Sequence, residues 1–130
     1  MKATGLRMQV LRESFAVCQL ERDEPIPAWA EATDFLCIVR TQDELSIISV
    51  DSGIPPNVRS ERGWRALRVV SDLDFSMSGV LASLLSPLAD AGIGVLVVST
   101  YKTDYVMVKD NSMVRAGEIL SEHDHVVEGN

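Results

Sequence analysis

The sequence predicts an α+β fold in which antiparallel sheets carry their helices on one face. Apolar, β-branched segments recur along the 130 residues, and a leucine stripe at helical spacing occupies residues 78–91. Two similar hairpin patterns, FLCIVRT-QD-ELSIISV and VLVVSTY-KT-DYVMVKD, lie about 60 residues apart, a spacing typical of a repeated supersecondary unit. We therefore expect two tandem ferredoxin-like (βαββαβ) units, 1–61 and 62–130, the first of them degenerate.

The first half of the chain contains three strand candidates and little helix. The strands are residues 15–20, 35–41 and 44–50, and the last two form a hairpin. Residues 27–31 (PAWAE) have room for a single helical turn. The loop DSGIPPN at 51–57 follows, where a second helix would otherwise stand. The first unit is expected to be degenerate because its helices are reduced in this way.

A helix over residues 78–91 is the strongest element of the second half. Ser76 or Ser78 is expected to cap its first turn and Gly92 to end it, while Pro87 removes one internal hydrogen bond and predicts a local bend. One face of this helix is apolar and should be buried. The residues of that face are Val80, Leu81, Leu84, Leu85 and Leu88.

Four strands and a second helix complete the second half in the order β-α-β-β-α-β. The strands are expected at residues 64–70, 93–101, 104–109 and 123–127, and the second helix at 111–120. This order predicts an antiparallel sheet with both helices packed on one face.

The charge of the chain argues against polyanionic partners. The net charge is -7, from 12 basic and 19 acidic side chains, and such a field repels phosphate backbones and anionic membranes. We expect no nucleic-acid and no membrane partner. Four arginines form the one basic stretch, and we expect them at a solvated strand edge. They are Arg59, Arg62, Arg65 and Arg68.

The cysteines and the apolar runs favour a cytoplasmic protein. Cys18 and Cys37 each lie in a strand-like run, and neither has a second cysteine or a histidine at metal-ligand spacing. This pattern predicts two buried thiols in a reducing compartment, with a single disulfide between them as the alternative. No apolar stretch approaches the roughly 20 residues of a membrane span. The N-terminus also lacks the apolar region of a signal peptide.

Three motifs of the second half resemble an ACT domain, of the subgroup that includes the CASTOR-type sensors and small bacterial tandem-ACT proteins. They are SGVLA at residues 78–82, AGI at 91–93 and STYKTDY at 99–105, the last being the most specific. The resemblance covers about residues 62–122, and the earlier half only as a degenerate repeat. It implies a regulatory fold that binds an amino acid between ACT units and assembles as a homodimer or higher homo-oligomer.

The residues of the second half also fit such a ligand. A helix N-terminus suits a carboxylate, Gly79 lets a ligand approach the backbone closely, and Asp104 offers an acceptor for an ammonium group. Gly79 also has a simpler interpretation as a turn glycine. The candidate ligand-binding residues are Ser76, Met77, Ser78, Gly79, Val80, Ser99, Thr100, Tyr101 and Asp104.

Catalytic and metal-binding patterns are weak, so we expect a non-catalytic module without cofactor or metal. His123 and His125 share one face of a tail strand, but with no further ligand in view a solvated tail is expected. There is no nucleophile elbow, phosphate-binding loop or dinucleotide fingerprint. The alternative function is a homo-oligomeric interaction module without ligand, favoured by the continuously apolar residues 93–98, which need cover on both faces.

Overall fold

The computed structural model describes residues 5–70 and 79–129. Strands and helices alternate along this part of the chain, with short 3-10 turns at Asp51–Gly53 and Asp110–Ser112. The elements are β1 (Arg7–Leu20), α1 (Ala28–Glu31), β2 (Leu36–Arg40), β3 (Leu45–Val50), β4 (Ser60–Val69), α2 (Val80–Asp90), β5 (Leu96–Ser99), β6 (Asp104–Lys109), α3 (Met113–Glu122) and β7 (Val126–Gly129).

The chain divides into two compact units. The smaller unit is Glu13–Trp64, and the larger unit comprises the described residues of Met1–Arg12 and Arg65–Asn130. Strands β1 and β4 each supply residues to both units. The larger unit therefore takes in the first residues of β1, which the expected division at residue 62 assigns to the first half.

The smaller unit is built on the strand order β2-β3-β1-β4, in which β1 and β2 each pair antiparallel with β3. One face of its sheet packs against α1 and the segment that follows β3, and buries Ala16, Cys18, Leu45, Ile47, Ala30 and Ile54. Cys18 pairs with Ile47, whereas Cys37 pairs with Ile48. Because neighbouring residues of β3 point to opposite faces, the two thiols lie on opposite sides of the sheet and both are free.

The larger unit has the strand order β7-β1-β4-β6-β5. The β5–β6 pair is the antiparallel hairpin expected from the sequence, with Val98 opposite Tyr105. β7, however, pairs parallel with β1, from Arg7 opposite Val126 to Val10 opposite Gly129, so the expectation of purely antiparallel sheets is wrong at this strand. The cause is that β1 begins at Arg7 rather than at residue 15 and lies between β4 and β7.

Both long helices pack on one face of the larger unit's sheet, as the sequence predicts. Alternate residues of β1, β4 and β6 project toward α2 and α3 and are buried with the inward residues of both helices. The buried set includes Met8, Val10, Leu67, Val69, Val106, Val108, Leu84, Leu88, Ala116 and Leu120. This shared core fixes where α2 begins relative to the strands.

Two arginines of β4 have a structural role that the expected solvated edge does not describe. The Arg62 guanidinium donates to the carbonyl oxygens of Asp51, Ile54 and Pro55, at 3.0, 3.2 and 3.0 Å. Arg65 donates to the carbonyl of Leu11 at 3.0 Å and pairs with a carboxylate at 3.2 Å. The planar guanidinium has five donors and binds several carbonyl oxygens at once, so the expectation of a solvated edge is wrong for these two residues.

Candidate functional site

The beginning of α2 holds part of the candidate site. Three candidate residues lie outside the described residues, namely Ser76, Met77 and Ser78. Two of them, Ser76 and Ser78, are also the predicted capping serines. Gly79 occupies the N-cap position with φ of 75°, and Val80 is the first helical residue. A Cβ at Gly79 would meet no atom within 4 Å, so the glycine is required by its left-handed backbone rather than by crowding.

The remaining candidate residues lie in and beside the β5–β6 turn. Ser99 ends β5 and pairs with Asp104, the half-buried first residue of β6. The Thr100 hydroxyl accepts from the backbone N–H of Thr103 at 3.2 Å and donates to its carbonyl at 3.1 Å, so this hydroxyl is used to close the turn. Tyr101, at 87% exposed, presents its ring at the tip.

Thr103, which was not among the candidates, joins this turn to the end of β4. Its side chain is 6% exposed, and its hydroxyl donates to the carbonyl of Val69 at 2.5 Å. One residue further on, the N–H of Val70 donates to the carbonyl of Arg7 at 2.8 Å. These bonds place the β5–β6 turn, the end of β4 and the beginning of β1 side by side.

His125 links the first turn of α2 to Leu6, the residue directly before β1. Its Nδ1 accepts from the N–H of Leu6 at 3.1 Å, and its Nε2 lies 3.1 Å from the carbonyl oxygen of Ser83. Ser83 belongs to the first turn of α2, since its N–H donates to the carbonyl of Gly79 at 2.9 Å. With 5% of its surface exposed, His125 is not the solvated tail residue expected from the sequence.

Both halves of the candidate site therefore belong to one end of the larger unit. There the first turn of α2 presents backbone N–H groups that have no partner within a helix, at the positive end of the helix dipole. The β5–β6 turn contributes the Asp104 carboxylate. An amphoteric small molecule is the ligand class that such a combination of donors and acceptor suits.

Each unit also has concave surfaces outside the set of candidate residues. A groove of about 330 Å³ in the larger unit runs between α2 and residues 123–125. A cavity of about 530 Å³ in the smaller unit is lined by Glu21, Glu24, Asp43 and Arg59 among others. Across the described ranges, no three His, Cys, Asp or Glu side chains are grouped so as to hold a metal ion.

One thiol has a shifted acidity. Burial raises the pKa of Cys18, and the positive charge of Arg62 opposes that rise. The thiol of Cys18 is therefore a packing group that stays protonated, because a buried thiolate would lose its hydration.

Comparisons with known families match both halves of the chain. The model of the ACT domain matches residues 59–122, and a second model, described as an N-terminal domain, matches residues 13–57. The human protein CASTOR3P is 31% identical over an alignment of 87 residues, and the match covers 57% of this chain and 53% of that protein. The match thus spans about half the length of this curated relative.

Solved structures resemble the whole chain. Protein Atu0741 from Agrobacterium tumefaciens is 34% identical, with a TM-score of 0.91 over 98% of this chain and 97% of that one. The regulatory subunit of aspartate kinase from Thermus thermophilus is 12% identical, with a TM-score of 0.64 over 93% and 98% of the two chains, a likeness of fold alone. Among residues 5–70 and 79–129, no helix is long and apolar enough to cross a membrane.

Proposed function

Because this chain belongs to the ACT domain family, we propose that it is a regulatory module that binds an amino acid and has no catalytic activity of its own. The observation that carries the proposal is the meeting of the α2 N-terminus and the β5–β6 turn at one end of the larger unit. The regulatory aspartate kinase subunit, which shares the fold, supports the regulatory part of the proposal.

The ligand's two charged groups have separate partners in this proposal. Its carboxylate lies against the first-turn N–H groups of α2, where Gly79 and Val80 begin the helix. Its ammonium group binds the carboxylate of Asp104, while the ring of Tyr101 covers the ligand from the tip of the turn. Ser99 and Thr100 flank the ligand. Ser76, Met77 and Ser78, which lie outside the described residues, stay candidate contacts from the sequence alone.

The setting of the protein is part of the same proposal. The free thiols of Cys18 and Cys37 support a reducing, cytoplasmic compartment. A homodimer or higher homo-oligomer would enclose the ligand more fully than one copy does. The two tandem units, the first degenerate, would then present their ACT-like surfaces to a second copy.

A thermal shift panel of the standard amino acids tests the proposal. A true ligand at about a hundredfold excess over its Kd adds about 2.7 kcal/mol to the unfolding free energy. For a chain of this length that corresponds to a Tm increase of about 10 °C. The matched control is Asp104→Asn, which keeps the shape of the side chain, removes its charge and should abolish most of the increase. A flat panel for the unmodified protein contradicts the proposal.

The second candidate is a homo-oligomeric interaction module without a ligand. The support for it comes from β2, the outermost strand in the order of the smaller unit. On this strand Leu36 is 38% exposed and Val39 is 50% exposed. Exposed apolar residues on such a strand favour pairing with another chain. Light scattering tests whether β2 forms an interface, because Val39→Lys should then dissociate the assembly. A stable oligomer with a flat amino-acid panel favours this alternative.

A further inference from the structure

Pro87 leaves one backbone carbonyl of α2 without its usual partner. Proline has no N–H, so the residue four positions earlier, Ser83, receives no hydrogen bond from position 87, and the proline ring also pushes that carbonyl away from the helix axis. Ser83 is in the first turn of α2, directly after the residues proposed to hold the ligand's carboxylate. The chain therefore needs an outside donor at this point.

His125 supplies that donor. Its Nε2 lies 3.1 Å from the Ser83 carbonyl oxygen, and its Nδ1 accepts from the N–H of Leu6 at 3.1 Å. Since Nδ1 accepts a bond, the ring proton of the neutral imidazole is on Nε2, where it can donate to Ser83. One buried ring thus links the first turn of α2 to the beginning of β1.

Neighbouring bonds make this link continuous with the rest of the site. Val126, next to His125, donates its N–H to the carbonyl of Leu6 at 2.8 Å, and Arg7 accepts from Val70 at 2.8 Å. Val69 accepts the Thr103 hydroxyl of the β5–β6 turn. The two halves of the candidate site are therefore held in register by a series of hydrogen bonds across three strands, and His125 forms its final link to the helix.

We propose that His125 is a positioning residue that fixes the first turn of α2 relative to the β5–β6 turn, and so sets the affinity of the proposed amino-acid site. This inference rests on the proposed function. His125 does not itself contact the ligand. Its effect is transmitted through the Ser83 carbonyl, because a carbonyl held from outside the helix fixes the orientation of the turn to which it belongs.

Two variants separate the halves of the link. In His125→Asn the short amide reaches the position of Nδ1, so it can accept from Leu6 but not reach Ser83. In His125→Gln the longer amide reaches the position of Nε2, so it can donate to the Ser83 carbonyl but no longer accepts the hydrogen bond from the Leu6 N–H. Pro87→Ala in the Asn background restores an N–H within the helix for the Ser83 carbonyl. That double variant tests rescue by a different donor.

The first measurement is hydrogen exchange of the amides of residues 83–86, the first amides of α2 that have acceptors in the preceding turn, in the full chain without ligand. Losing one hydrogen bond should accelerate this exchange by about 5- to 30-fold in His125→Asn, while His125→Gln and the double variant should stay close to the unmodified protein. Equal acceleration in the Asn and Gln variants, or none in either, overturns the inference.

The second measurement is calorimetric titration with the amino acid that gives the largest Tm increase in the panel. His125→Asn should weaken Kd by about 5- to 30-fold, with recovery in the double variant, although Asn and Gln lower Tm by similar amounts. Equal weakening by both substitutions indicates a merely structural role and overturns the inference. If no amino acid raises Tm, the proposed function fails, and hydrogen exchange alone decides whether His125 fixes the helix.

Discussion

Thr103→Val should destabilise the larger unit by removing the bond between the β5–β6 turn and β4. Valine has nearly the shape of threonine, so packing is preserved while the hydroxyl donor to the Val69 carbonyl is lost. Thr103 is 6% exposed, and the loss of a buried hydrogen bond costs about 1–3 kcal/mol. With an unfolding entropy of about 2.1 cal/mol/K per residue, each kcal/mol lowers the Tm of this chain by about 4 °C.

Urea unfolding followed by circular dichroism measures the loss, and scanning calorimetry measures the change in Tm. Thr100→Val is the matched control, because the Thr100 hydroxyl bonds to Thr103 within the same turn rather than to another strand. This substitution should cost about 1 kcal/mol or less. Thr103→Ser retains the hydroxyl and should recover most of the bond. If Thr103→Val is no more destabilising than Thr100→Val, the bond to Val69 does not hold the turn to β4.

Three further predictions concern the core, the thiols and the helix start. Leu84→Ala, at a fully buried position between α2 and the sheet, should lower the unfolding free energy by about 2–5 kcal/mol in urea titration, and a loss below 1 kcal/mol would contradict the packing. Cys37 should react with a maleimide reagent well before Cys18, because burial raises the pKa of the Cys18 thiol; mass spectrometry of peptides from the folded protein decides the order. Gly79→Ala should cost about 1–2 kcal/mol because φ is 75° there, and an unchanged Tm would show that the turn relaxes.

Much of the fold could be predicted because periodicity in the sequence reflects one-sided burial. The leucine stripe predicted α2 to within two residues at its start, and the alternation in DYVMVK predicted β6 as Asp104–Lys109. β1 was found only in part, because its first residues, RMQVLRES, alternate apolar and polar side chains without forming a continuous apolar run. Reading Leu6, Met8 and Val10 as one face would have extended the strand to its true beginning.

The candidate site was harder to predict because its organisation depends on bonds between distant residues. The STYKTDY motif located the β5–β6 turn, but not the function of the Thr103 hydroxyl, which acts on a carbonyl 34 residues earlier. The sequence predicts a solvated tail at His125, because the partner that buries it is a carbonyl 42 residues away. The one available indication was Pro87, whose position inside a helix implies an unpaired carbonyl at Ser83 that another group must satisfy.

We propose that an amino acid binds where the α2 N-terminus and the β5–β6 turn meet. Two-dimensional amide NMR, recorded while the Tm-raising amino acid is titrated into the protein, tests it directly. The largest shift changes should fall on residues 79–81 and 99–104, with small changes throughout Glu13–Trp64. Changes concentrated in the smaller unit, or saturable binding that leaves both of these segments unaltered, would contradict it.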